Sequence, residues 1–140
     1  MNGYLLDTNV VSELRKLKPH GGVVAWLGRQ YQDQLFVSAV TIGELQAGVE
    51  QTRHQDPRKA LEIERWIDSV TISQQMLPMD VVCFRAWARL MDGKSDSLLG
   101  DAMIAATAQV HGLVVATRNE KDFAGLGVKF INPFKTDPVN

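Results

Sequence analysis

Tyr4-Leu5-Leu6-Asp7-Thr8-Asn9-Val10-Val11 reads as a short apolar strand that ends in a carboxylate. Two small polar residues follow, and apolar character then returns. Removing a carboxylate from water at the end of a buried strand is costly unless a cation or hydrogen bonds hold it. Asp7 therefore requires partners, and the passage from strand to polar turn to apolar run is the pattern to seek elsewhere in the chain.

The same alternation continues outward from this stretch. Strands are expected at Tyr4–Leu6, Leu35–Ser38, Met76–Leu77, Leu113–Ala116 and Val128–Ile131. Helical spacing fills the intervals. Val10, Leu14 and Leu17 follow i, i+4, i+7, while Val23, Trp26 and Leu27 begin a second stripe. Ile42, Leu45 and Val49 share a face, and two full stripes follow in Ile63, Trp66, Ile67, Val70 and in Phe84, Trp87, Ala88, Met91. Leu98–Val110 is apolar almost all round, which marks a helix buried on most sides. His20-Gly21-Gly22 and Asp92-Gly93-Lys94-Ser95-Asp96 read as loops. Strand–helix alternation of this kind predicts an α/β domain with a mainly parallel sheet of four to five strands, covered by helices on both faces. One domain is expected over residues 1–135, with a short frayed tail at 136–140.

Composition narrows the function classes. With 45% apolar and 22% charged residues among 140, the chain has the make-up of a soluble globular domain. No apolar run approaches the roughly 20 residues of a membrane span. A basic n-region followed by an apolar h-region is also missing at the N-terminus, so a cytoplasmic location is expected. The single cysteine, Cys83, excludes an internal disulfide and suits a buried structural thiol. A net charge of −1 argues against a general polyanion binder, yet a basic rim around an acidic, metal-neutralised pocket totals near zero as well.

The acids gather at one end of the expected sheet, where open parallel sheets bind ligands. Asp7 ends the first strand; Glu44 lies just past the second; Asp101 sits in the first turn of the apolar helix. Asn119, Glu120 and Asp122 follow the strand at Leu113–Ala116. Unpaired carboxylates meeting in one pocket raise each other's pKa values. A hard divalent cation such as Mg²⁺ removes that conflict and is typically held by a few carboxylates plus water. Plainer roles stay open for each residue. Glu44 and Asp101 gain from a helix macrodipole alone, Thr8 and Asn9 suit a helix cap, and Asn119 and Asp122 suit a turn. His20, His54 and His111 have no zinc-ligand spacing and read as surface residues. There is no G-x-S-x-G elbow, Walker A or G-x-G-x-x-G.

Four motifs together resemble the PIN-domain family, in particular the VapC/FitB-like ribonuclease toxins of prokaryotic toxin–antitoxin pairs. They are Leu5-Leu6-Asp7-Thr8-Asn9-Val10-Val11-Ser12-Glu13, Ser38-Ala39-Val40-Thr41-Ile42-Gly43-Glu44-Leu45, Asp101-Ala102-Met103-Ile104-Ala105-Ala106-Thr107-Ala108 and Ala116-Thr117-Arg118-Asn119-Glu120-Lys121-Asp122-Phe123. The closing Gly127-Val128-Lys129-Phe130-Ile131-Asn132-Pro133-Phe134 is similar to the family's last strand and exit. The resemblance implies a doubly wound α/β fold and Mg²⁺- or Mn²⁺-dependent cleavage of RNA, a transfer RNA being one candidate substrate. It also implies a homodimer and a small VapB/FitA-like antitoxin that alone mediates contact with operator DNA. On the same basis Asp7, Glu44 and Asp101 match the metal-site acids, with Asn119 and Asp122 competing for a fourth place. Thr117 resembles the hydroxyl residue beside the first Asp.

The expected chemistry is in-line hydrolysis of a phosphodiester to a 5′-phosphate and a 3′-hydroxyl, with a metal lowering the pKa of bound water. Arg15, Lys16, Lys18 and Arg118 are candidates for backbone contacts to RNA. Two rival readings are a PIN-fold binding module without catalysis and an aspartyl-nucleophile phosphatase. The latter needs a second acid two residues after Asp7, where this chain has Asn9.

Overall fold

Short strands rich in Val and Leu pair side by side because their residues are apolar on both faces, the signature of a sheet covered by helices above and below. The computed structural model describes residues 3–135, and the expected tail at 136–140 lies outside them. It contains five strands: β1 (Tyr4–Leu6), β2 (Leu35–Ser38), β3 (Gln75–Leu77), β4 (Val114–Ala116) and β5 (Phe130–Ile131). All pair in parallel in the order β3-β2-β1-β4-β5. β1 is central, with Leu5 opposite Phe36 on one side and Val115 on the other.

Seven α-helices connect them: α1 (Thr8–Glu13), α2 (Gly21–Gly28), α3 (Ala39–Arg53), α4 (Pro57–Ser73), α5 (Val81–Met91), α6 (Leu99–His111) and α7 (Glu120–Gly125). Alternation along β1 sends Leu6 into one apolar layer with Val10, Val23 and Trp26 and Leu5 into the other with Ile104, Ala105 and Phe123. Local chemistry sets the helix ends. Ser38 Oγ accepts from the Val40 amide, Asp56 from Lys59 and Asp80 from Cys83, each at 3.0 Å. Gly112, at φ 66°, closes α6 in the left-handed conformation that favours glycine. The chain lays β2 and β3 on one side of β1, then crosses to place β4 and β5 on the other. The order reverses between β1 and β4, and the crevice beyond their carboxyl ends is where this class of sheet takes a ligand.

The helical stripe through Leu14 and Leu17 does not form. α1 ends at Glu13, and Leu14 and Leu17 are 41% and 102% exposed in the turn that follows. His20-Gly21-Gly22 is not a loop but the start of α2, because His20 Nδ1 accepts from the Gly22 amide and caps the helix. α5 only partly follows the expected stripe: Trp87 and Met91 pack against the core beside the buried Cys83 and Ala86, whereas Phe84 and Ala88 are exposed. Cys83 is buried and free, as expected, though Val81, Val82 and Phe84 around it are exposed. No helix among the described residues is long and apolar enough to cross a membrane.

Candidate active site

Asp7 is 3% exposed, and the turn after β1 supplies donors for its carboxylate. Oδ1 accepts from the Thr8 amide at 2.8 Å. Oδ2 accepts from Thr117 Oγ1 at 2.7 Å and from Asn9 Nδ2 at 3.2 Å. Of roughly four lone-pair positions on a carboxylate, three are used and one is left for a further partner. Burial still outweighs these bonds and holds the Asp7 carboxyl above the ordinary aspartate value, with the Glu44 charge adding to the rise. The Asp7 amide donates to Ala116 O at 2.9 Å, so the β1–β4 pairing runs up to the residue itself.

Glu44 reaches this crevice from α3. Its Oε1 accepts from Thr8 Oγ1 at 2.6 Å, and Thr8 Oγ1 also lies 3.1 Å from the buried Thr41 hydroxyl. Its Oε2 lies only 3.1 Å from where a Cβ on Gly100 would stand. Gly100 immediately precedes Asp101 in the first turn of α6, so Glu44 is drawn close to that turn by the absence of a side chain there. A glycine before a helical acid gives no such signal in the sequence.

Asp101 is the most perturbed acid. Burial, the Asp7 charge, a hydrogen bond to the Asp122 carboxyl and the charges of Asp122 and Glu44 together push it up to about 7. Burial and nearby negative charge both disfavour the ionised form of a carboxyl group, which is why Asp101 is raised the furthest. Asp7, Glu44, Asp101 and Asp122 thus belong to one electrostatic unit, delivered by four segments.

Asn119 takes a different part. It stands at the start of α7 with no capping bond from its side chain, and its backbone amide donates to Thr117 Oγ1 at 2.9 Å. Asn9 donates to Asp7 with its Nδ2 and accepts the Arg118 amide at 3.1 Å with its Oδ1, tying the β1 turn to the β4 turn. Thr8, Asn9 and Thr117 therefore orient the acids. Of the expected basic residues, Arg15 lines a shallow groove beside Glu44, and Lys18 is exposed. Lys16 is paired with the buried carboxylate of Glu13, which burial in water's absence would otherwise disfavour. That Lys16 bond, with the His20 amide at 2.8 Å, holds Glu13 below the usual glutamate range. Arg118 lies with its guanidinium 3.9 Å from the centre of the Phe134 ring.

The donor set consists of hard carboxylate oxygens with neither thiolate nor imidazole among them, which suits Mg²⁺ or Mn²⁺ over softer metals. Among the described residues no group of three or more His, Cys, Asp or Glu side chains is close enough together to hold a metal ion by itself.

The PIN domain family matches residues 4–129, a span that includes every acid of the crevice. The chain belongs to the PIN domain family. It is 36% identical to the VapC ribonuclease Y4jK of Sinorhizobium fredii, over 94% of this chain and 97% of that protein. The crystal structure of FitAcB from Neisseria gonorrhoeae superposes with a TM-score of 0.79 at 34% identity, covering 94% of this chain and 99% of the other. A toxin–antitoxin complex from Klebsiella pneumoniae gives a TM-score of 0.65 at 26% identity, over 94% and 98%. This PIN domain has the fold of those proteins along almost its whole length. Asn9 also distinguishes its site from that of an aspartyl-nucleophile phosphatase, since both Asp7 oxygens accept hydrogen bonds and position 9 carries an amide.

Proposed function

We propose that this PIN domain protein is a divalent-metal-dependent ribonuclease, the toxin of a toxin–antitoxin pair. The observation that carries the reading is the convergence of Asp7, Glu44, Asp101 and Asp122 at the β1–β4 crevice, with Asp101 raised to about 7 by burial and by the other three acids. Relatives named as a VapC ribonuclease and as part of a toxin–antitoxin complex support the substrate and the partner.

Asp7, Glu44 and Asp101 would hold Mg²⁺ or Mn²⁺, directly or through water, with Asp122 as the fourth acid. The cation, when bound, supplies an ionised water near neutral pH and charge neutralisation on the phosphoryl oxygens. The protein's own groups do the rest. Thr117 and Asn9 fix the Asp7 carboxylate, and Thr8 fixes Glu44, so the acids need not reorganise. Asp101, held up toward neutrality by burial and by the neighbouring acids in the metal-free protein, would ionise on cation binding. Asn119 contributes through its backbone, by bonding Thr117. Hydrolysis leaves a 5′-phosphate and a 3′-hydroxyl without using the RNA 2′-hydroxyl, so the choice of RNA, including any transfer RNA, rests on the shape of the surrounding surface. A homodimer, a small VapB/FitA-like antitoxin and a cytoplasmic site of action complete the proposal.

Purified protein should degrade RNA only with Mg²⁺ or Mn²⁺. Asp7→Asn should lower the rate by at least about a hundredfold, the scale of losing a metal or electrostatic contact. It should leave the fold intact, because an amide oxygen still accepts from Thr8. Wild-type cleavage rates in Asp7→Asn would sink the assignment, whereas a wild type that binds RNA without cutting it would favour the binding-module reading.

A further inference from the structure

Arg118 follows directly on Thr117, whose hydroxyl holds Asp7, and the Arg118 amide is itself bonded to Asn9. Its guanidinium is not paired with a carboxylate within ion-pair distance among the described residues. Instead it lies 3.9 Å over the Phe134 ring. Phe134 is held in turn. His20 meets it edge-on at 5.1 Å, its amide donates to Asn132 Oδ1 at 2.9 Å, and Asn132 is bonded to Glu120. Arg118 is exposed while Phe134 is half-buried, so the ring backs the guanidinium while the side chain still meets solvent, and its charge also lowers the pKa of the Glu13 carboxyl. Unpaired bases of single-stranded RNA stack on arginine planes and aromatic rings, a contact that tolerates any base.

We infer that Arg118, backed by Phe134, is a stacking platform for a base of single-stranded RNA next to the bond that is cut. The inference rests on the ribonuclease reading and adds to it a base contact where the sequence suggested only a phosphate contact. The platform binds by its plane as well as by its charge, so Lys cannot replace Arg118.

The test uses the full chain as Asp7→Asn, so that RNA is bound without being cut. Two labelled probes of equal length are compared by anisotropy: a single-stranded RNA and a ribose-phosphate oligomer of the same length lacking all bases. The parent should bind the RNA about tenfold more tightly, the scale of one stacked base. Arg118→Lys should abolish that preference with the salt dependence unchanged, and Phe134→Leu should do the same while Phe134→Trp retains it. The inference is overturned if Arg118→Lys keeps the preference, or if the parent binds both probes equally. It is equally overturned if Arg118→Ala only lowers the salt slope by about one and Lys restores it, the mark of a phosphate contact. Cleavage of the same RNA by wild type with Mn²⁺ reports the ribonuclease reading separately: cutting without a base preference condemns the platform alone.

Discussion

At Asp7, three hydrogen bonds and a nearly complete loss of solvent compete for control of one proton. Thr117 is the largest single influence keeping the carboxylate charged. Its hydroxyl is also the acceptor for the Asn119 amide, so it joins the acid to the β4 turn. Thr117→Val keeps the shape and removes both bonds. Denaturant unfolding should show a loss of about 1–3 kcal/mol, the usual result of leaving buried polar groups unpaired. The Asp7 carboxyl should rise further, so the acid limb of the cleavage profile should move to higher pH. An unmoved limb would mean that Thr117 does not govern the ionisation of Asp7. At this scale the sequence singled out Asp7, Glu44 and Asp101 through their positions after strands and at a helix start. It could not choose between Asn119 and Asp122, because they are three residues apart and the turn of α7 decides which one points toward Asp101. Of the two, Asp122 is the one whose carboxyl acts on Asp101.

Among the elements, α6 carries the most weight, since it packs its buried run Ile104–Ala108 against the sheet and presents Asp101 at its first turn. Gly100→Ala separates stability from function. Ala improves helix propensity by about 1 kcal/mol over Gly, so thermal stability should hold or rise. The new methyl would stand 3.1 Å from Glu44 Oε2 and must displace that flexible carboxylate by a few tenths of an ångström. Cleavage and Mn²⁺ affinity should therefore fall in a protein that is no less stable. Unchanged Mn²⁺ affinity by titration would show that Glu44 is not needed near Asp101. The strands β1 and β2 were legible to the residue because their apolar runs are bounded by polar ones. α1 was not, because Leu14 and Leu17 keep helical spacing in a segment where Glu13 instead turns back to bind Lys16 and the His20 amide. The face of α5 was read in part: Trp87 and Met91 pack on the core as their spacing indicated, but Cys83 and Ala86 take the inward place that Phe84 and Ala88 leave.

For the whole molecule, the acidic crevice makes stability depend on pH and on cations together. Asp101 has a folded pKa raised to about 7 from the ordinary aspartate value near 4. Between these values the folded state binds the additional proton, so the metal-free protein should lose stability as pH rises from about 4 to 7 and gain nothing from this group above that. Asp7 is shifted in the same direction. Thermal melts in chelator should show this decline, and Asp101→Asn should flatten it. Mg²⁺ or Mn²⁺ should raise the melting temperature at pH 7 and above, where the carboxylates are charged, and Asp101→Asn should weaken that effect. Melts that are flat with pH and indifferent to cations would contradict an acidic cluster awaiting positive charge.

The sequence by itself determined the layered α/β fold and the acids that end its strands, because alternating apolar runs and turn residues are local properties that each segment carries alone. Only the tertiary structure decided which acids meet, and it did so through the reversal of strand order between β1 and β4. It also decided that Gly100 makes room for Glu44 and that Arg118 lies on Phe134. Those are contacts between distant parts of the chain, and their energies depend on burial and on distances that no single segment specifies.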